Sequence, residues 1–189
     1  STVETLAQYS SVPVINALSD LHHPCQALAD IFTIMEKKAH QGPSGLKGLK
    51  MAYIGDGNNN VCHSLMQAAA KVGLNLTVAS PKGYEPSNEI VREVFADAQA
   101  TGVEIDILND PVVAAKNADV IYTDVWTSMG QEREKQKRNK IFRPFQVSGD
   151  SRFSLADNTK WNDRTRGPDR STRRSRLRRR PAIDSRDRR

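Results

Sequence analysis

Residues 49–79 read LKMAYIGDGNNNVCHSLMQAAAKVGLNLTVA, and this stretch decides the fold. Residues 51–54 (MAYI) are a short apolar run of strand type. Residues 55–60 (GDGNNN) form a polar turn. Residues 61–72 put Leu65, Met66, Ala69 and Val72 on one helical face, and Gly73 stops the helix. Residues 74–79 are a second strand. Strand, helix and strand of these lengths make a parallel βαβ unit with a right-handed crossover.

The alternation continues toward the C-terminus. Residues 88–100 read as a helix with Ile90, Val91, Val94 and Phe95 apolar, closed by Gly102. Strands at 103–108 and 120–122 flank a short helix at 111–116. The spacing therefore predicts an α/β domain over 49–147: an open, Rossmann-like parallel sheet with helices on both faces. Ligands of such a sheet sit beyond the C-terminal strand ends, which carry 55–60, 80–82 (SPK) and 123–126 (TDVW). Residues 131–140 (QEREKQKRNK) read as a charged, solvated helix.

Toward the N-terminus, 2–9 reads as a helix and 12–15 (VPVI) as a short buried strand. A polar loop leads to His22-His23, and Pro24 takes the first position of a helix to about Lys38. Ala27, Leu28, Ile31, Phe32 and Met35 recur along it at helical spacing. Residues 40–48 (HQGPSGLKG) are a linker by composition.

Charge is unevenly spread. The net +6 combines −2 over residues 1–147 (14 Lys+Arg, 16 Asp+Glu) with +8 over residues 148–189 (14 Lys+Arg, six Asp). The last 42 residues hold two Leu, one Ile and no Val, too little apolar surface to offset the entropy of ordering, so they read as a disordered tail. Clustered Arg there permits salt-dependent contact with phosphates, but no RNA or DNA module accompanies it, so specific nucleic-acid binding is not expected. Two cysteines without a CxxC partner argue against a disulfide framework or zinc site and suit a reducing compartment. No apolar run approaches the ~20 residues that cross a bilayer.

Three motifs carry chemistry. In His23-Pro24-Cys25-Gln26 an imidazole and a carboxamide share one face at a helix start, where anions are favoured. The alternative is a capping His and a solvated Gln. In 55–60, a glycine turn before a helix lets amides approach a ligand; the alternative is a plain βα turn. A dinucleotide is disfavoured, because the third glycine of GxGxxG is missing and the next strand ends at Ala79-Ser80 without an acidic residue. In 122–130 (YTDVWTSMG), Asp124 at a strand end offers a carboxylate for an ammonium group, or simply a turn residue.

Taken together, HPCQALADIFTI, YIGDGNNNVCHSLMQAAAKVG and ADVIYTDVWTSMGQE resemble the aspartate/ornithine carbamoyltransferase family, and within it the ornithine carbamoyltransferases, over about residues 1–147. The resemblance implies two α/β domains, for carbamoyl phosphate and for L-ornithine, in a homotrimer with sites at subunit interfaces. It implies citrulline-forming chemistry of arginine biosynthesis and the urea cycle, with no cofactor or metal, in the cytoplasm or a mitochondrial matrix. His23 and Gln26 match the carbamoyl contacts. Asn60 matches the asparagine that holds the amino-acid end of ornithine, with Asn59 as the second choice. Asp124, Ser128 and Met129 match the remaining ornithine contacts, on a loop that closes over substrate. A carbamoyltransferase acting on putrescine or an acyl-ornithine is the nearest alternative.

Two departures accompany the resemblance. No SxRTR-type phosphate loop precedes His23, and no HCLP segment follows Val147. Residues 1–40 thus read as a remnant of the carbamoyl-phosphate domain, 49–147 as an incomplete ornithine domain, and 148–189 as foreign to the family, like an out-of-frame translation. The expectation is a truncated chain, inactive alone and poorly soluble.

Overall fold

The computed structural model describes residues 2–38, 42–127 and 132–147. All of them belong to the first of two compact units, Ser1–Ser154; the second, Leu155–Arg189, and the whole tail 148–189 lie outside the described residues.

Strands β1 (Lys50–Ile54), β2 (Asn75–Ala79), β3 (Ile105–Leu108) and β4 (Val120–Tyr122) form a parallel sheet in the order β3-β2-β1-β4. β1 is central: Met51 pairs with Leu76 on one side and Val120 on the other. Four of its five residues are buried, as a parallel strand covered on both faces requires.

The helices form where local chemistry closes their ends. Asn59 caps α3 (Asn60–Val72) by accepting from the Cys62 N–H, and Gly73 ends it in the left-handed conformation at φ 78°. Ser87 and Gly102 do the same for α4 (Asn88–Thr101). Asp110 caps α5 (Pro111–Ala115), which begins on proline. The N-terminal helices, here named from the chain start, are α1 (Thr2–Tyr9) and α2 (Pro24–Lys38). After β4 comes α6 (Lys135–Phe142), between short 3₁₀ turns Glu132–Glu134 and Arg143–Phe145.

Helices do cover both faces. Met51, Tyr53, Leu76, Val78 and Ile105 meet α3 and α4 in the larger core, and Ala27, Ile31 and Ile34 of α2 join the same core. Ala52, Ile54 and Ala79 face the other way, onto Ala114 of α5 and Phe145. Each fully buried Leu or Ile in these layers contributes about 1.5–3 kcal/mol. The chain runs outward from β1 to β2 and β3, then returns through α5 to β4 on the opposite side of β1. The direction of winding reverses between β1 and β4, and beyond the C-terminal ends of two such strands is where open α/β sheets hold their ligands.

Four readings differ from the structure or are refined by it. Residues 12–15 form no strand, and Val12 and Ile15 are 66% and 78% exposed. A strand needs a neighbour to take its hydrogen bonds; here Ser10 Oγ instead accepts from the Val12 N–H, and Pro13 has no N–H to offer. On α2, Leu28 and Phe32 are exposed and Ile34 is buried. The stripe that meets α3 is 27/31/34, and Leu28 and Phe32 lie one residue, about 100°, away from Ala27 and Ile31 around the helix. The charged helix is not wholly solvated either: Arg138 and Phe142 are buried. The linker also hides an anchor, since the 3₁₀ turn Gly42–Leu46 buries Leu46 completely.

The turn after β1 is tightly enclosed. Gly57 donates its N–H to the Tyr84 carbonyl at 2.9 Å. A Cβ at Gly57 would stand 2.5 Å from Ser80 Oγ, 2.8 Å from Pro86 Cδ and 2.9 Å from the Tyr84 oxygen. Gly57→Ala is therefore expected to destabilise the domain by about 1–3 kcal/mol, because a backbone carbonyl cannot swing aside. Chemical denaturation of the two proteins checks this; an unchanged midpoint contradicts the enclosure.

Candidate functional site

Three loops meet around the C-terminal ends of β1 and β4, the candidate crevice. The first is 55–59. Gly55, at φ 151°, bonds Ala79 O at 3.0 Å, in a conformation open mainly to glycine. The Asp56 carbonyl accepts from Tyr53 Oη and Asn59 Nδ2, both at 2.9 Å, and Asn59 Nδ2 also meets Tyr53 Oη at 3.0 Å. Asn59 Oδ1 caps α3 at 2.8 Å from the Cys62 nitrogen. Both ends of the Asn59 amide are thus held within the turn. Asn60, one residue on, instead donates from Nδ2 to Ser19 O at 2.8 Å.

That bond belongs to the second loop, 19–23, which lies across the first turns of α3. The His23 N–H donates to Ser64 Oγ at 2.8 Å, and His63 Nδ1 meets Leu21 O at 3.3 Å. The His23 carbonyl accepts the first helical bond of α2, from the Ala27 N–H at 3.2 Å. His23 therefore sits at the cap position, but its ring does not cap: Nδ1 is buried without a hydrogen-bond partner among the described residues. On the same face of α2, Gln26 Nε2 donates to Asp30 Oδ1 at 2.9 Å.

The third loop follows β4. Tyr122 stacks on Tyr53 with ring centroids 5.7 Å apart. Burial, then the neighbouring Asp30 carboxylate, push the Tyr122 phenol far above its ordinary value. The Gln26 face of α2 is therefore joined through Asp30 to the end of β4. Asp124 is half-buried, accepts from the Val125 N–H at 2.7 Å, and lies close enough to raise Tyr53 and Cys62 electrostatically. His23, Gln26, Asn60 and Asp124 are thus brought to one end of the sheet. Asn59 is absorbed into the turn, and Ser128 and Met129 lie outside the described residues.

Arg138 is the residue that pattern reading missed. Its guanidinium pairs with the Asp56 carboxylate and its Nε bonds the Trp126 carbonyl. It lies 4.9 Å over the Tyr84 ring and 5.1 Å over the Phe142 ring. Both charged side chains are at most 5% exposed. Burial pushes the Asp56 carboxyl up from its ordinary value, and the Arg138 charge pulls it back. The one sequence signal was Phe142, four residues on from Arg138 on the same helix face. Cys62 is completely buried, which pushes its thiol well above its ordinary value and disfavours the reactive thiolate. A groove of about 340 Å³ between α2 and α3, lined by Asn16, His22, Leu28, Ser64 and Lys71, touches none of the expected site residues.

Residues 47–159 match the family description "Aspartate/ornithine carbamoyltransferase, Asp/Orn binding domain", and residues 1–36 match "Aspartate/ornithine carbamoyltransferase, carbamoyl-P binding domain". The chain belongs to the aspartate/ornithine carbamoyltransferase family. Similar relatives include the ornithine carbamoyltransferases of Pyrococcus horikoshii, 57% identical over 148 residues, and of Bacillus cereus, 56% identical over 148. Each alignment covers 78% of this chain and 45% of the relative, so the chain spans less than half the length of these family members. Among solved structures it is similar to ornithine carbamoyltransferase from Pyrococcus furiosus, with TM-score 0.71, 56% identity, and 78% and 45% of the two chains covered. It is also similar to a mitochondrial ornithine carbamoyltransferase from Coccidioides immitis, with TM-score 0.66, 44% identity, and 78% and 45% covered.

Two outcomes follow from this geometry. Arg138→Met leaves Asp56 charged and buried, so it is expected to cost about 3–5 kcal/mol by denaturant unfolding, with Asp56→Asn in the same chain recovering part of the loss. A loss under about 1 kcal/mol contradicts the pairing. His63 is buried, and burial lowers its pKa below 6.5; His22 adds to this, while the Leu21 carbonyl and Asp56 oppose it. The unfolded chain then takes the proton more readily, so stability is complete above about pH 6.5 and falls below it. The thermal midpoint is expected to drop more between pH 7.5 and pH 5.5 in the native chain than in His63→Gln; equal drops defeat this assignment.

Proposed function

We propose that this chain forms the amino-acid-binding part of an ornithine carbamoyltransferase, which moves the carbamoyl group of carbamoyl phosphate to the δ-amine of L-ornithine, yielding L-citrulline and phosphate. The carrying observation is that Asn60 at the start of α3 and Asp124 at the end of β4 flank the reversal point of the sheet, in a chain 56–57% identical to proteins named for this reaction.

In this reading Asn60 holds the α-amino-acid end of ornithine. Asp124 pairs with its ammonium group, and the family resemblance assigns Ser128 and Met129, outside the described residues, to the remaining ornithine contacts. Asn59 loses that role, because both ends of its amide already serve the turn. His23 and Gln26 meet the carbamoyl group at the start of α2. The neutral δ-amine attacks the carbamoyl carbon, a tetrahedral oxyanion forms, and the C–O bond to phosphate breaks. A donor on the carbonyl oxygen stabilises that oxyanion. Holding both substrates in one crevice supplies much of the remaining acceleration. No metal or cofactor enters. A homotrimer completes the sites, and the compartment is cytoplasm or mitochondrial matrix, in keeping with free Cys25 and Cys62.

Among the described residues and through the tail, no SxRTR-type loop supplies phosphate contacts, so turnover by these 189 residues alone is not expected. Calorimetric titration with L-ornithine is expected to show binding that Asp124→Asn weakens by on the order of 10-fold. Equal binding of putrescine or N-acetylornithine transfers the proposal to those amines. Absence of any amine binding defeats it; citrulline above a protein-free blank supports the reaction and overturns only the expectation that these 189 residues are inactive alone.

A further inference from the structure

We propose that Asp30 is a positioning residue that fixes which end of the Gln26 amide faces the crevice, and thereby selects a ligand carrying an N–H group. The inference rests on the reading of Gln26 as a carbamoyl contact.

A glutamine side chain ends in one acceptor and one donor group of nearly equal shape, so only its partners decide its orientation. Gln26 Nε2 lies 2.9 Å from Asp30 Oδ1. A carboxylate has acceptors only, so the NH₂ end must face Asp30. Turning the amide over would set its oxygen against the carboxylate oxygen. The Gln26 oxygen is therefore committed to the side away from Asp30.

Asp30 is itself held in place. It lies on α2, whose Ala27, Ile31 and Ile34 anchor in the main core, and its carboxylate abuts Tyr122 at the end of β4. Tyr122 stacks on Tyr53, whose hydroxyl supports the 55–59 turn. A change of carboxylate position would disturb both strand ends, so Asp30 cannot simply follow a flipping amide. The Tyr122 hydroxyl hydrogen-bonds this carboxylate as well, a second donor that holds it in place.

An acceptor held on the side away from Asp30, meeting the ligand in the proposed role of Gln26, distinguishes a carbamoyl group, which has N–H, from an acetyl group of similar shape, which has none. The test uses the ¹⁵N-labelled 189-residue chain, with the Gln26 NH₂ signals assigned through Gln26→Met. In the native chain these signals are expected to exchange slowly, and carbamoyl phosphate is expected to shift them at concentrations on the order of 10-fold below acetyl phosphate. Asp30→Asn, which keeps size and shape, is expected to return the signals to solvent-like exchange and reduce the preference to under about 3-fold. L-ornithine binding should persist in this variant, which separates positioning from loss of fold.

Solvent-like Gln26 signals in the native chain overturn the proposal without any variant. A preference that survives Asp30→Asn also overturns it. Equal shifts by both phosphates defeat the selectivity and leave the carbamoyl-contact reading standing. No shift by either one defeats both.

Discussion

A buried carboxylate and a buried guanidinium, Asp56 and Arg138, hold the crevice in its shape. They are 82 residues apart in the chain, one in the turn after β1 and the other on α6. Arg138 also reaches the Trp126 carbonyl in the loop after β4. One side chain therefore joins the two strand ends between which the winding reverses. Burying such a pair costs several kcal/mol of lost hydration per ion, so net stability is a poor reason for its presence. What the pair does show is a link across the fold: removing Arg138 strands the buried Asp56, whereas Arg138 keeps the Trp126 carbonyl and has Glu134 4.0 Å away. Tyr84 and Phe142 close over the guanidinium, and Trp126 stacks near Phe142 at 6.2 Å, which keeps water from weakening the contact.

The opposite wall works by ordinary hydrogen bonds. The 19–23 loop has little apolar anchorage of its own and is tied to α3 through Ser64, Asn60 and His63. That docking sets the start of α2 beside the strand ends. It also explains why α2 belongs to the same core as the sheet although a linker separates them in sequence. Around this seam His22 Nε2, His23 Nδ1 and His63 Nε2 are buried without partners among the described residues. Buried polar atoms are nearly always paired, so their concentration at one seam marks it as the chemically demanding part of the domain.

The α/β alternation was legible because each signal is local. Apolar runs at 51–54 and 74–79, the stripe on α3, and the caps Asn59, Ser87, Asp110, Gly73 and Gly102 all act within a few residues. Where a signal needed a distant partner, pattern reading erred. Residues 12–15 have strand composition but no strand beside them. Leu28 and Phe32 have helical spacing, yet spacing does not say which of two adjacent stripes meets α3. Charge density in 131–140 spoke for solvent, while Arg138 turned inward to a carboxylate that no window around it contains.

The sequence by itself determined the order of strands and helices from β1 to β4, the polar strand-end loops, and the motifs that resemble the family. These depend on propensity, periodicity and residue type, which neighbours a few positions apart settle. Only the tertiary structure decided that Asn59 serves the turn while Asn60 faces the 19–23 loop, that Gln26 presents its NH₂ to Asp30, and that Arg138 spans the strand ends. Each of those is a choice between nearly identical alternatives: two adjacent amides, two ends of one amide, or a cation in water or in the core. A hydrogen-bond partner far along the chain makes the choice, and no local pattern encodes where that partner will be.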